Sequence, residues 1–229
     1  MERPAAAGQR PEGAADGYGL DALALEEVDG WLRIWHERKE TSMAPGGKVW
    51  FTSDTHFNDP RVLGIDRRPY ATLALHDAAL EAGWNEVVAA SDEVWHLGDV
   101  ARLSKAEIGS LLGRLNGVKH LIVGNNDGAS TLEAEGWASV RTYHELFLEG
   151  RHLILCHYPF RTWNQMGRKS IDLHGHSHGA LSPMTRQYDV GVDVWSYRPV
   201  DLATILATRR RAARGGGVKR LATGEGEER

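Results

Sequence analysis

Seven side chains able to hold a cation recur along this chain within short segments. Asp54 and His56 lie in Asp54-Thr55-His56, Asp99 follows Gly98, and Asn125 opens Asn125-Asn126-Asp127 after Gly124. His157 precedes Tyr158-Pro159, and His176 and His178 lie in Gly175-His176-Ser177-His178. Every donor is an oxygen or an imidazole nitrogen, a set that suits two hard or borderline divalent cations sharing one carboxylate. Asp54 and His56, two residues apart, project to the same side of a strand or its extension and could grip one cation. Asp99 has two oxygens and could bridge two cations roughly 3.5–4 Å apart. Asn125 offers a neutral carbonyl oxygen, which limits the negative charge of the site. Metals so placed lower the pKa of bound water, so a bridging hydroxide is available near neutral pH for in-line attack on a phosphate ester. Mn²⁺, Fe, Zn²⁺ and Ni²⁺ all accept these donors, so the metal stays open.

The elements that must position these groups follow from hydrophobic periodicity. Strands are expected over 48–53, 93–98 and 118–124, each ending at a motif, with helices over 72–90 and 104–114 between them. Ser104 and Glu107 form a capping box at the start of the second helix. The second half reads as strands over 139–143, 146–148, 152–156, 171–175 and 189–194. Strands alternating with helices, then strands in succession, imply an α/β protein with a mixed sheet or two packed sheets. In such sheets sites collect where strand C-termini open into loops, and each motif lies at such an end.

Composition bounds the rest. A chain of 229 residues, 41% hydrophobic, supports one sizeable core. Its net charge of −4 at pH 7 makes the body no general trap for nucleic acid. The single cysteine, Cys156, excludes an intramolecular disulfide and reads as a buried apolar thiol. With no apolar stretch of spanning length and no secretory h-region, the expected location is the cytoplasm, with no membrane and no obligatory protein partner. Residues 1–18, rich in Ala, Gly and Pro, are expected to be disordered. Residues 19–43 carry an apolar stripe that predicts an amphipathic helix packing on a domain over 44–208. Residues 209–229 are expected to form a basic, disordered tail, with RNA contact as the competing reading.

Of the other histidines, His36, His76, His120, His144 and His152 read as packing or surface residues. His96 and His174 sit on motif-bearing strands, either orienting ligands or satisfied in the core. Arg61, Arg67, Arg68 and Arg161 are candidates for clamping phosphate oxygens, each against the reading of a solvated arginine. Trp163 could stack on a nucleobase or anchor the packing.

Taken together, Asp54-Thr55-His56, Gly98-Asp99, Gly124-Asn125, His157 and Gly175-His176-Ser177-His178 resemble the calcineurin-like metallophosphoesterase superfamily over roughly residues 48–205. The stretches 51–57, 173–179 and 189–193 are further similar to a bacterial subgroup of small, single-domain members. The resemblance implies a four-layer α/β/β/α sandwich around two packed mixed sheets. It implies two divalent metals, one on Asp54, His56 and His178, the other on Asn125, His157 and His176, with Asp99 bridging. Many members carry a histidine after the metal-binding asparagine, taken to assist the leaving group. Here that residue is Asn126, which is no acid, and Asp127 beside it is implied to orient the loop or a ligand. The subgroup often has Gly-His after Phe57, where this chain has Asn58-Asp59-Pro60-Arg61. The substrate expected is a phosphate ester, with nucleotides and nucleic acid ends among the choices. Diesters are favoured, with a nucleotide or protein phosphomonoesterase as the alternative. A non-catalytic scaffold would be expected to lose ligands, and all seven are present.

Overall fold

A computed structural model of the chain describes residues 47–214. The expected segments at 1–18 and 19–43 lie outside the described residues. Among the described residues nine strands form two sheets. The first has the order β4 (Trp137–Arg141), β3 (Val118–Ile122), β2 (Glu93–His96), β1 (Val49–Thr52), β9 (Val200–Asp201). Its first four strands are mutually parallel, and β9 runs antiparallel to β1. The second has the order β5 (Tyr143–Leu148), β6 (Arg151–Cys156), β7 (Ile171–His174), β8 (Gln187–Asp189), with β5 antiparallel and the rest parallel. Two mixed sheets with flanking helices are the architecture expected from the sequence.

Between the sheets, alternate strand residues interdigitate: Phe51, Leu97 and Ile122 from one side meet Leu153, Leu155 and Leu173 from the other. A second core joins Trp50 and Val94 of the first sheet to helices α2 (Leu73–Val87) and α3 (Lys105–Arg114) through Leu80, Trp84 and Leu111. Thr72 caps α2 by accepting from Leu75 N at 3.2 Å. The Ser104–Glu107 box caps α3 with both of its reciprocal bonds formed. Two single turns, α1 (Arg61–Gly64) and α4 (Ala129–Leu132), sit in the loops after β1 and β3. The last described helix, α5 (Leu202–Arg214), sends Leu202 and Ile205 into the intersheet core and runs past residue 208. The outer face of the second sheet is crossed by the segment 160–170. There Phe160 N donates to Asp172 Oδ2 and Gln187 Nε2 donates to Phe160 O.

β1, β2, β3, β6 and β7 all end at a motif. The sheets are tied together at that end. Ser53 bridges Gly191 in parallel fashion, and Val192 N donates to Ser53 O at 3.0 Å. The strand expected over 189–194 begins earlier, at Gln187, and gives way to turns after Asp189.

Candidate metal centre

The loops after β1 and β2 run side by side, with Asp54 N donating to Gly98 O, His56 N to Asp99 O and Phe57 N to Val100 O. Five of the seven expected ligands have left-handed backbone: Asp54, His56, Asp99, His176 and His178, with φ from 46° to 66°. Such a conformation is uncommon outside glycine and clusters at functional sites. The period-two argument for Asp54 and His56 therefore does not hold, because the chain has already left the strand. Successive left-handed turns aim the two side chains inward instead. Glycines give these turns room. A Cβ on Gly175 would lie 1.9 Å from Ser53 Oγ and 2.5 Å from Asp54 Oδ2. One on Gly124 would lie 2.3 Å from Asp99 Oδ1.

Donor atoms of Asp54, His56 and His178 gather within 4.8 Å of one another, as do those of Asp54, Asp99 and His157. Asp99 Oδ2 stands 3.6 Å from His56 Nε2 and 3.6 Å from His157 Nε2, and so faces both groups. His178 Nε2 is 3.7 Å from Asp54 Oδ1. These gaps are too long for hydrogen bonds. They match two donors each about 2.0–2.2 Å from one cation.

His157 makes the point sharper. Its Nδ1–H donates to Leu97 O at 2.7 Å, which in the neutral tautomer leaves a lone pair on Nε2. That lone pair faces the Asn125 carbonyl oxygen at 3.0 Å. In that tautomer two acceptors face each other, and a cation would satisfy both. His176 stands at the mouth, exposed, its ring 5.2 Å from that of His157 and outside both tight groups.

The electrostatics agree. Burial pushes the Asp54 carboxyl up to about 8, against the pull of His178. Burial also holds His56 down to about 4, with Asp99 pulling the other way. On His178 burial opposes the charge, but the hydrogen bond to Asp193 and the charges of Asp54 and Asp66 prevail and raise it to about 9. A buried carboxylate that cannot ionise cheaply is what a divalent cation would relieve. The residues present fit such ions.

Around the ligands lies a ring of orienting groups. Asp127 is buried and accepts from the amides of Asp99, Gly124 and Val100, so it fixes the loops and does not face the reacting centre. His96 is an orienting residue. Thr55 Oγ1–H donates to Val100 O, which leaves His96 Nε2–H to donate to Thr55 Oγ1 at 2.9 Å while its Nδ1 accepts from Gly98 N. A neutral ring suits both roles, and burial lowers its pKa to about 3. His174 turns away from the metal-binding residues and donates from Nδ1 to Gly175 O. It lines a cavity of about 480 Å³ behind the 176–178 loop.

Asn126 is held on Asp99, donating from its amide N to Oδ1 at 2.8 Å and from Nδ2 to Oδ2 at 2.6 Å. Arg61 is half exposed, paired with Asp59, and reaches Asn126 Oδ1 at 3.4 Å. Its guanidinium holds Asp59 down to about 2. The other expected substrate contacts fare differently. Trp163 is buried, with Nε1–H donating to Ser170 O, and is a packing anchor with no face for a base. Arg68 is buried and fully engaged, so it is not a phosphate clamp. Arg161 lies exposed after His157. Tyr158, not singled out from sequence, is exposed with its ring 4.8 Å from His176. Only its place beside His157 signalled it.

Residues 48–194 match the calcineurin-like phosphoesterase superfamily domain. The gene 66 protein of Mycobacterium phage L5 is 31% identical over 184 residues, covering 64% of this chain and 87% of the phage protein. An uncharacterized protein of Methanocaldococcus jannaschii is 28% identical over 169 residues, covering 69% of this chain and 89% of its own length. Among solved structures, protein AQ665 of Aquifex aeolicus superposes with a TM-score of 0.57 at 19% identity, covering 71% of this chain and all of the other, a likeness of fold. Among the described residues no helix is long and apolar enough to cross a membrane. With the family domain spanning the strands that carry every ligand motif, the chain belongs to the calcineurin-like phosphoesterase superfamily.

Proposed function

We propose that this protein is a two-metal phosphoesterase that favours phosphodiesters. The convergence of Asp54, His56, Asp99, Asn125, His157, His176 and His178 at one end of two joined sheets carries the reading. Divalent cations held there would lower the pKa of water and polarise phosphoryl oxygens. The chain's own residues do the rest. Asp127 and His96 hold the ligand loops, and Arg61, beside Asn126 at the open side, is placed to receive a phosphate oxygen. Tyr158 offers an aromatic surface to the organic part of the ester. A nucleotide or a nucleic acid end has both features.

The diester preference rests on Asn126. Where a catalytic acid would stand is a carboxamide already committed to Asp99. A positioned general acid is worth about 10²–10⁴-fold for a poor leaving group. Alkyl monoesters should suffer most from its lack, and aryl diesters least. The test is a panel of alkyl and aryl mono- and diesters with Mn²⁺, run on wild type and Asn126→His. Wild type should turn over bis(p-nitrophenyl) phosphate fastest, and Asn126→His should raise alkyl monoester rates at least about tenfold relative to diester rates. An unchanged ratio would discard the missing-acid argument and favour a monoesterase.

A further inference from the structure

Arg68 and Asp193 are 125 residues apart in sequence and meet beneath the centre. Arg68 has no exposed side-chain surface, and all five of its N–H donors have partners. Nε and Nη2 donate to the two carboxylate oxygens of Asp193 at 2.9 and 2.8 Å. Nη2 also donates to Asp54 O at 2.6 Å, and Nη1 donates to Thr55 O at 2.9 Å and to His76 Nε2 at 2.8 Å. His76 in turn donates from Nδ1 to Asp77. Asp193 Oδ2 accepts from His178 Nδ1 at 2.8 Å, which leaves His178 Nε2 to face Asp54.

One guanidinium therefore touches both loops that supply Asp54, His56 and His178. It pins the carbonyls of the left-handed 54–56 turn, and through Asp193 it fixes the tautomer and direction of His178. Of the other ligands, His157 is oriented by the Leu97 carbonyl, and Asn125 Oδ1 meets His157 Nε2.

We propose that Arg68 and Asp193 form a positioning clamp for one half of the centre, ordering Asp54, His56 and His178 for a single cation and leaving the other half untouched. The clamp rests on the metal-binding reading above. Lysine cannot replace this arginine, because an ammonium has three donors in a compact cluster and no planar fork.

The test is Mn²⁺ binding by the purified full chain, measured by equilibrium dialysis for wild type, Arg68→Lys and Asp193→Asn. Circular dichroism melts of the metal-free proteins identify variants that are folded at the dialysis temperature. Loss of an orienting partner costs about 10–100-fold in metal affinity. Both variants should weaken one of two binding events by that factor and leave the second within about twofold. In a His178→Ala background Arg68→Lys should add only the part that acts through the 54–56 turn, less than its effect on wild type, whereas in His176→Ala its full effect should persist. Should Arg68→Lys fail to fold, Asp193→Asn, at the less buried end of the pair, decides alone. Equal weakening of both events, or of neither, overturns the clamp. Wild type that binds no Mn²⁺ overturns the metal-binding reading beneath it.

Discussion

The two halves of the centre are built differently. Around Asp54 the donors are enclosed and backed by carboxylates: His178 rests on Asp193 at 2.8 Å, His56 has Asp59 at 3.6 Å, and Arg68 holds the turn between them. Around Asn125 the donors are neutral. Asn125 and His176 are exposed, and His157 rests on a backbone carbonyl. Asp99 faces both. Negative charge is thus concentrated where the protein surrounds it, and neutral donors face the solvent side, where an anionic phosphate would arrive. A centre made symmetric with carboxylates would repel its own substrate.

The largest effect should come from the residue the halves share. Asp99→Asn removes the charge common to both and should cut bis(p-nitrophenyl) phosphate turnover with Mn²⁺ on the order of a thousandfold. Activity near wild type would mean that the halves are independent, or that one alone suffices. A smaller effect separates them. Without metal, Asp54 and His178 hold protons into the neutral and alkaline range, with values of about 8 and 9, while burial lowers the pKa of His176. A cation entering the first half must displace a proton, so its affinity should climb as pH rises from 6 to 8, by roughly tenfold per unit for each proton displaced. Affinity for the second half should climb less steeply over that window, since burial already lowers the pKa of His176. Parallel pH dependence of both binding events, measured by calorimetry at several pH values, would erase the distinction.

The ligand set was legible because metal chemistry restricts which residue types can serve, and because each stands just past a strand visible from its periodicity. Helix α3 was legible from its capping box, and α2 was expected over 72–90, although Val88 turns extended and ends it before Ala90. The backbone of the site was not legible. Nothing about Asp54 or His56 in sequence announces φ near 50°, which is imposed by pairing of the β1 and β2 loops. Arg68 was misread because its partners are mostly carbonyls and a distant aspartate, which leave no local pattern. Trp163 had two sequence readings that only burial could separate. The two-residue strand β9 is too short to show a period at all.

Counting cations tests the central claim most directly. Metal-free protein reconstituted with Mn²⁺, freed of excess ion and analysed for metal should retain two ions per chain, falling to one or none in Asp99→Asn. Retention of none by wild type, or an unchanged count in the variant, would contradict a centre built on these seven side chains.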